Sequence, residues 1–463
     1  MTVALRNDDP WALDHAHTLH PWTQFGTFER EGSLVIDRGE GVWLWDREGR
    51  RYLDAVGGLW CTNVGLGRAD MAEAIADQAR RLAYCSTFVD MTNEPSARLA
   101  AELAALAPGD LNRVHFTTCG STAIDSAARM VAYVQTCLGR PDKTGLVARE
   151  QSYHGSTHLC MSIGKRRGDR VPEFRYQSEG IFHLSCPDPY RRPEGMTEAE
   201  FRDALVDEFR ALLGRVGPER IGAFFAEPIQ ASGGVIIPPE GYLRAIWEIC
   251  RENDILFVAD EVVTAFGRIG HWFASEDAFG IRPDMICVAK GLTSAYVPMG
   301  AVIFSDRIWE AMAERGERWF TSGYTYAGHP VAAAAALKAL EITREEDLLG
   351  NAIRVGDRLL ERLSALRDLP LVGDVRGRGL MVCIESVRDK RTREPLPDEV
   401  GEARRIAAAA EAMGLLVRPL GHLNVMSPPL ILTEDQADGI ADTMARAIRQ
   451  VADELVREGV RLD

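Results

Sequence analysis

The sequence lacks the cysteine pattern of a stapled or zinc-bound fold. Its nine cysteines, at 61, 85, 119, 137, 160, 186, 250, 287 and 383, are odd in number and include no C-x-x-C pair. That excludes a disulfide framework and a zinc knuckle and suits a reducing compartment. It also lacks a surplus of positive charge, since 53 Lys and Arg against 68 Asp and Glu leave a net charge of -15. Nucleic acid and anionic membranes both need a cationic face, so neither is an expected partner. No apolar run approaches the roughly 18 residues of a membrane span. The N-terminus, Met1-Thr-Val-Ala-Leu-Arg-Asn-Asp-Asp-Pro10, has neither the basic start nor the apolar stretch of a leader, and the expectation is a cytoplasmic protein. Internal repeats and low-complexity linkers are missing too. Leu256-Phe-Val-Ala-Asp-Glu resembles the second acidic motif of a P-loop ATPase, but the chain has no G-x-x-x-x-G-K-[ST] loop. Arg376-Gly-Arg-Gly precedes a strand pattern instead of following one, which removes the dinucleotide-loop reading.

What is present is a long chain of ordinary globular composition. At 463 residues, 46% apolar and 26% charged, it is expected to form two or three domains around a large core. A small meander is expected over 33–54, and helices over 69–83, 94–107, 198–214, 241–252, 331–345, 350–366, 400–413 and 434–457. Short apolar strands begin at Val114, Leu146, Ile221, Ile255, Pro283 and Leu380, and this alternation defines an α/β protein. His15, His17 and His20 alternate as they would on one side of a strand, but the Pro- and Trp-flanked segment offers only Asp14 as a partner. An irregular N-terminal arm is expected there, with no metal. Residues 165–218 read as a charged, Pro-interrupted surface excursion ending in the 198–214 helix.

Two of the strands carry chemistry. Ile255-Leu-Phe-Val-Ala-Asp260 and Pro283-Asp-Met-Ile-Cys-Val-Ala-Lys290 each place one ionisable side chain just past the last apolar position. In open α/β sheets that end faces the ligand crevice, so Asp260 and Lys290 form a candidate pair. Pyridoxal phosphate chemistry wants such a pair, a lysine amine to condense with the cofactor aldehyde and a carboxylate to keep the pyridine nitrogen protonated. Either residue alone is more often a surface charge or a helix cap. Cys119-Gly120-Ser121-Thr122 follows the Val114 strand and opens a helix, which offers backbone donors, a hydroxyl and the positive end of the macrodipole to an anion.

At these residues the chain resembles the class III aminotransferases, particularly the ω-transaminases (amine:pyruvate aminotransferases). The resemblance runs from Trp22 to Pro429 and is carried by Phe257-Val-Ala-Asp-Glu-Val-Val-Thr-Ala-Phe-Gly-Arg-Ile-Gly270, Ala289-Lys-Gly-Leu-Thr-Ser and Pro298-Met-Gly-Ala-Val. It implies a fold type I transferase: a large domain with a mostly parallel central sheet at 60–329, and a smaller α/β domain from 330–463 that includes the arm and meander of 1–59. It implies pyridoxal 5'-phosphate held by Gly120, Ser121, Tyr153, His154, Glu227, Asp260, Val262 and Lys290, with Tyr153 and Val262 on opposite ring faces. Thr325 is implied to reach a neighbouring subunit's phosphate in a homodimer whose active site is shared. Trp22, Trp60, Phe88 and Tyr153 are implied to line the substrate pocket, with Arg418 binding substrate carboxylates. The family's phosphate segment reads Gly-Ser-Glu-Ala, whereas Thr122 stands here for the glutamate. The implied reaction moves an amino group from a primary amine or ω-amino acid to a keto acid such as pyruvate in two half-reactions. A decarboxylase, aminomutase or racemase of the same family is the alternative.

Overall fold

The computed structural model describes residues 9–314 and 316–462. Its largest sheet has seven strands in the order Arg113–Thr117, Gly300–Phe304, Met285–Val288, Leu256–Asp260, Ile221–Ala226, Gly145–Arg149 and Ile181–Leu184. The last five run parallel to one another. Gly300–Phe304 is antiparallel to both of its neighbours, so the sheet is mostly parallel.

Strand periodicity explains the two cores around this sheet. Leu256 and Val258 pack with Ile124, Ala127 and Val131 of the Gly120–Cys137 helix on one face. Phe257 and Ala259 point the other way, into a cluster with Phe209, Ile246 and Leu340. Both faces are covered, which is why these strands read as unbroken apolar runs. The carboxyl ends stay level, because Ala226 pairs with Ala259 and Asp260 with Cys287. Glu227, Asp260 and Lys290 therefore emerge along one edge.

A third core lies among the helices Leu348–Ser364, Glu402–Ala412 and Glu434–Arg457. They cover an antiparallel sheet ordered Val372–Arg378, Met381–Ser386, Leu423–Met426 and Arg418–Leu420. The N-terminal meander, Ile36–Glu40, Trp43–Asp46 and Arg51–Asp54, gains a fourth, parallel strand from Leu415–Leu416. The Pro330–Glu345 helix separates two of the cores. Ala332, Ala333 and Ala336 face the central sheet, while Ala335, Ala339 and Ile342 face the third core. Its alanine richness follows from burial on both sides, since small side chains let the backbone approach both layers.

Two expectations need correction. The N-terminal arm is not irregular: Pro10–His17 and Phe25–Glu31 are helices, the first capped by Asp9 with proline in its first turn. His15 stacks on Trp11 at 5.0 Å and His20 pairs with Asp14 at 2.8 Å, so these two histidines serve packing and local pairing. The 165–218 stretch is more than a surface excursion, for Ile181–Leu184 forms the edge strand of the central sheet. Four residues are too few for a periodic signal. Residues 1–8, which entered the expectation about location, lie outside the described residues. Among the described residues no helix is long and apolar enough to cross a membrane.

Candidate active site

The site forms where the parallel strands end. Asp260 closes its strand, buried, with Oδ1 accepting the Val262 backbone N–H at 3.2 Å and Oδ2 sharing a 2.7 Å hydrogen bond with His154 Nδ1. His154 is buried as well, and its Nε2 has no hydrogen-bond partner among the described residues. Glu227 follows Ala226 and ties two loops together: Oε1 accepts the Tyr153 N–H at 3.0 Å and Oε2 the Ala231 N–H at 3.1 Å. Burial raises the pKa of Glu227, opposed by the nearby His154 and reinforced by Asp260. Beneath it, fully buried Arg149 donates to the Glu227 carbonyl.

Lys290 sits just beyond Val288 with φ +46°, in the left-handed region, a conformation that costs on the order of 1–3 kcal/mol for a residue with a side chain. The turn is held from below, since a side chain on Gly291 would meet the Asn63 amide at 2.3 Å. Asn63 is itself fixed, donating to the Phe266 carbonyl at 2.9 Å and accepting from Arg268 at 2.9 Å. Burial lowers the pKa of the Lys290 amine; Asp260, then Cys61 and Glu227, oppose the shift, and Arg418 adds to it. The result favours the neutral, nucleophilic amine.

The anion cradle expected at Gly120–Ser121 has a built shape. Ser121 Oγ accepts the Ser156 N–H at 3.1 Å, and a side chain on Gly155, whose φ is +124°, would collide with that hydroxyl at 2.5 Å. A side chain on Gly120 would press on Val262 at 3.0 Å, so Val262, Gly120 and Ser121 share one wall. Thr122 closes the first turn of the helix: its Oγ1 accepts the Cys119 N–H at 3.0 Å, completing a capping box. The residue that replaces the family's glutamate therefore does the capping that a glutamate at this position performs in such a box. These features fit pyridoxal phosphate. The helix start at Gly120 and Ser121 suits the phosphate, Val262 stands beside it, and Asp260 and Lys290 stand at adjacent strand ends.

The structure brings together some of the residues expected on the substrate side. Trp22 meets Tyr153 edge-on at 6.0 Å, and its indole N–H donates to Asp169 at 3.2 Å. Arg166, nearly buried, lies over the Tyr153 ring at 4.8 Å. Arg418 begins the hairpin strand Arg418–Leu420 and forms no ion pair among the described residues; burial lowers its pKa, followed by repulsion from Arg166. Trp60, 2% exposed, packs with Ile229, Ala231 and Val235 on the loop after Glu227. Phe88 is not brought to Tyr153. It is half exposed and rests against Gly323, on the loop that also carries exposed Thr325, whose carbonyl accepts from the Tyr84 hydroxyl at 2.8 Å. Arg166, Asp169 and Cys61 were not legible as site residues. The first two lie in the charged run Lys165-Arg-Arg-Gly-Asp-Arg170, where nothing in sequence separates a pocket residue from a solvated one.

Comparison with known proteins agrees with this geometry. Residues 27–448 match the family described as aminotransferase class-III. The chain is 38% identical over 447 residues to the putrescine--pyruvate aminotransferase of Pseudomonas aeruginosa, covering 95% of this chain and 96% of that one. It superimposes on the (S)-enantioselective ω-transaminase of Thermomicrobium roseum with a TM-score of 0.92 at 41% identity, covering 95% and 98% of the two chains. The ω-transaminase of Pseudomonas jessenii, solved in complex with PMP, matches with a TM-score of 0.94 at 34% identity, covering 97% and 99%. The chain belongs to the class III aminotransferases and is a pyridoxal phosphate-dependent enzyme of fold type I.

Proposed function

We propose that this protein transfers an amino group from a primary amine or ω-amino acid to a keto acid such as pyruvate, with Lys290 and Asp260 as its catalytic pair. The observation that carries the reading is their placement on adjacent, level strand ends, with Asp260 anchored by His154 and the Lys290 amine shifted toward its neutral form. When bound, pyridoxal phosphate supplies an aldehyde that takes up the substrate amine and a ring that accepts electrons from the substrate carbon. Asp260 holds a negative charge at the base of the site and so favours a protonated ring nitrogen. With the cofactor bound, the Lys290 amine would be placed to take and return the proton of the substrate carbon as general base and acid. Gly120 and Ser121 take the phosphate, and Tyr153 and Val262 bound the ring, with His154 and Glu227 fixing the floor. Trp22, Trp60, Tyr153 and Phe88 select by shape, and Arg418 binds the keto acid carboxylate.

A homodimer completes the site in this reading. Support comes from large apolar side chains left exposed on the two segments around Phe88 and Thr325, namely Phe88 (50% exposed), Val89 (84%), Trp319 (71%) and Tyr326 (62%), with Phe88 resting against Gly323 and Tyr84 edge-on to Tyr326. Residues 60–329 form the cofactor-binding unit, and 1–59 with 330–463 the smaller one. The test is spectroscopic: an amine donor added without acceptor should convert the bound cofactor to its amine form, and pyruvate should restore the starting spectrum. A family member that decarboxylates or racemises would return the aldehyde form unaided.

A further inference from the structure

Tyr153 is covered on its outer side by a fixed cation. The Arg166 guanidinium lies 4.8 Å from the Tyr153 ring centre and 6.0 Å from that of Trp22. The residue is 8% exposed, and Nη2 donates to Asp169 Oδ1 at 2.6 Å. The same carboxylate oxygen accepts the Trp22 indole N–H at 3.2 Å. Arg166 is thus held by burial, stacking and an ion pair, whereas Arg418 has no ion pair among the described residues. Arg166 lies over the Tyr153 ring with Asp169 paired to it, and Arg418 also acts electrostatically on Tyr153. Asp169 offsets the charge of Arg166, and Arg418 has no such partner among the described residues.

We propose that Arg166 is a specificity-determining residue that sets the sign of charge tolerated at the far end of the amine donor, favouring a distal carboxylate over a distal ammonium. The proposal rests on the transaminase reading above. A donor whose amine is held at Lys290 and whose chain passes Tyr153 brings its far end between Arg166 and Arg418. A carboxylate there pairs with Arg418 in a bidentate fork and relieves the repulsion between the two guanidiniums. An ammonium there adds a third cation to a partly desolvated cluster with a single anion. A neutral apolar donor lets Arg418 turn to solvent and is indifferent to Arg166.

The test compares kcat/KM of the cofactor-loaded enzyme for 4-aminobutanoate, 1,4-diaminobutane and 1-phenylethylamine. Arg166→Met keeps a stem against Tyr153 and removes the charge, and it should shift the ratio toward the diamine about tenfold, or about 1.4 kcal/mol. Arg166→Lys should hold the wild-type ratio. Asp169→Asn keeps an acceptor for the Trp22 indole while removing the opposing charge, and should move the ratio the other way. 1-Phenylethylamine should respond little to either change. Affinity for pentanoate, which carries no amine, should fall in Arg166→Met and rise in Asp169→Asn. A ratio that stays fixed or moves in the same direction in both variants overturns the proposal, as does an equal loss with all three donors. Were no donor to react with the wild type, the transaminase reading would fall, while pentanoate binding would still report the charge effect.

Discussion

His154 Nδ1 and Asp260 Oδ2 are 2.7 Å apart, and both side chains are buried at the carboxyl end of the central sheet. The contact fixes the orientation of the carboxylate, whose other oxygen is held by the Val262 N–H. Removing His154 strips a buried charged group of its partner, a loss of about 1–3 kcal/mol. His154→Ala should therefore retain cofactor but transaminate about tenfold to a hundredfold more slowly. Asp260→Asn should lose more, on the order of a hundredfold to a thousandfold, because charge stabilisation itself is removed. Single-turnover rates at saturating cofactor check both, and near-normal rates in Asp260→Asn would reduce that residue to a structural cap.

The pH dependence of Lys290 has a defined sign. Burial, only partly opposed by Asp260, holds its amine below the ordinary 10.5. In cofactor-free protein the unfolded chain therefore binds more protons at this group, and stability rises with pH across the window below 10.5. The contribution is present above the unfolded value and is lost as pH falls through the folded one. Lys290→Met should flatten that part of the curve, measured as the urea midpoint against pH. Cofactor uptake should rise with pH with a midpoint below 10.5; a midpoint at or above it contradicts the desolvated amine.

In the proposed reading Arg418 serves two substrates. A rigidly buried, unpaired guanidinium would cost several kcal/mol whenever an apolar donor filled the pocket. A half-buried arginine with no ion pair among the described residues, on a hairpin strand, can turn in to a keto acid carboxylate and out to water. Arg418→Ala should weaken the half-reactions with alanine and pyruvate about tenfold to a hundredfold, the loss of about 1.5–3 kcal/mol from charge-assisted bonds. The half-reaction with an apolar amine should stay nearly intact. Stopped-flow spectra separate the two, and equal losses would refute the switching role.

Much of this was legible in the sequence, for identifiable reasons. The strands ending at Asp260 and Lys290 are apolar on both faces, which marks them as buried, so their terminal charges stood out. The long amphipathic helices, such as Glu198–Val216 and Glu434–Arg457, repeat their pattern often enough to set their bounds within two residues. The edge strand Ile181–Leu184 was hidden by its brevity. The helix Pro10–His17 was hidden because aromatic and histidine packing, instead of an apolar stripe, holds it in place. Arg166 and Asp169 acquire meaning only through contacts with Tyr153 and Trp22, 13 and 147 residues away in sequence respectively. By resemblance Phe88 matched a pocket position and Thr325 a phosphate contact across a dimer interface, and the fold leaves both side chains exposed, away from any burial that sequence could have signalled.

Borohydride reduction of the cofactor-loaded enzyme, followed by proteolysis and mass spectrometry, tests the central claim most directly. The account predicts a yellow protein whose reduction fixes one cofactor mass on the peptide carrying Lys290, and no label in Lys290→Ala. Label on another lysine, or wild-type protein that binds no cofactor, would contradict it.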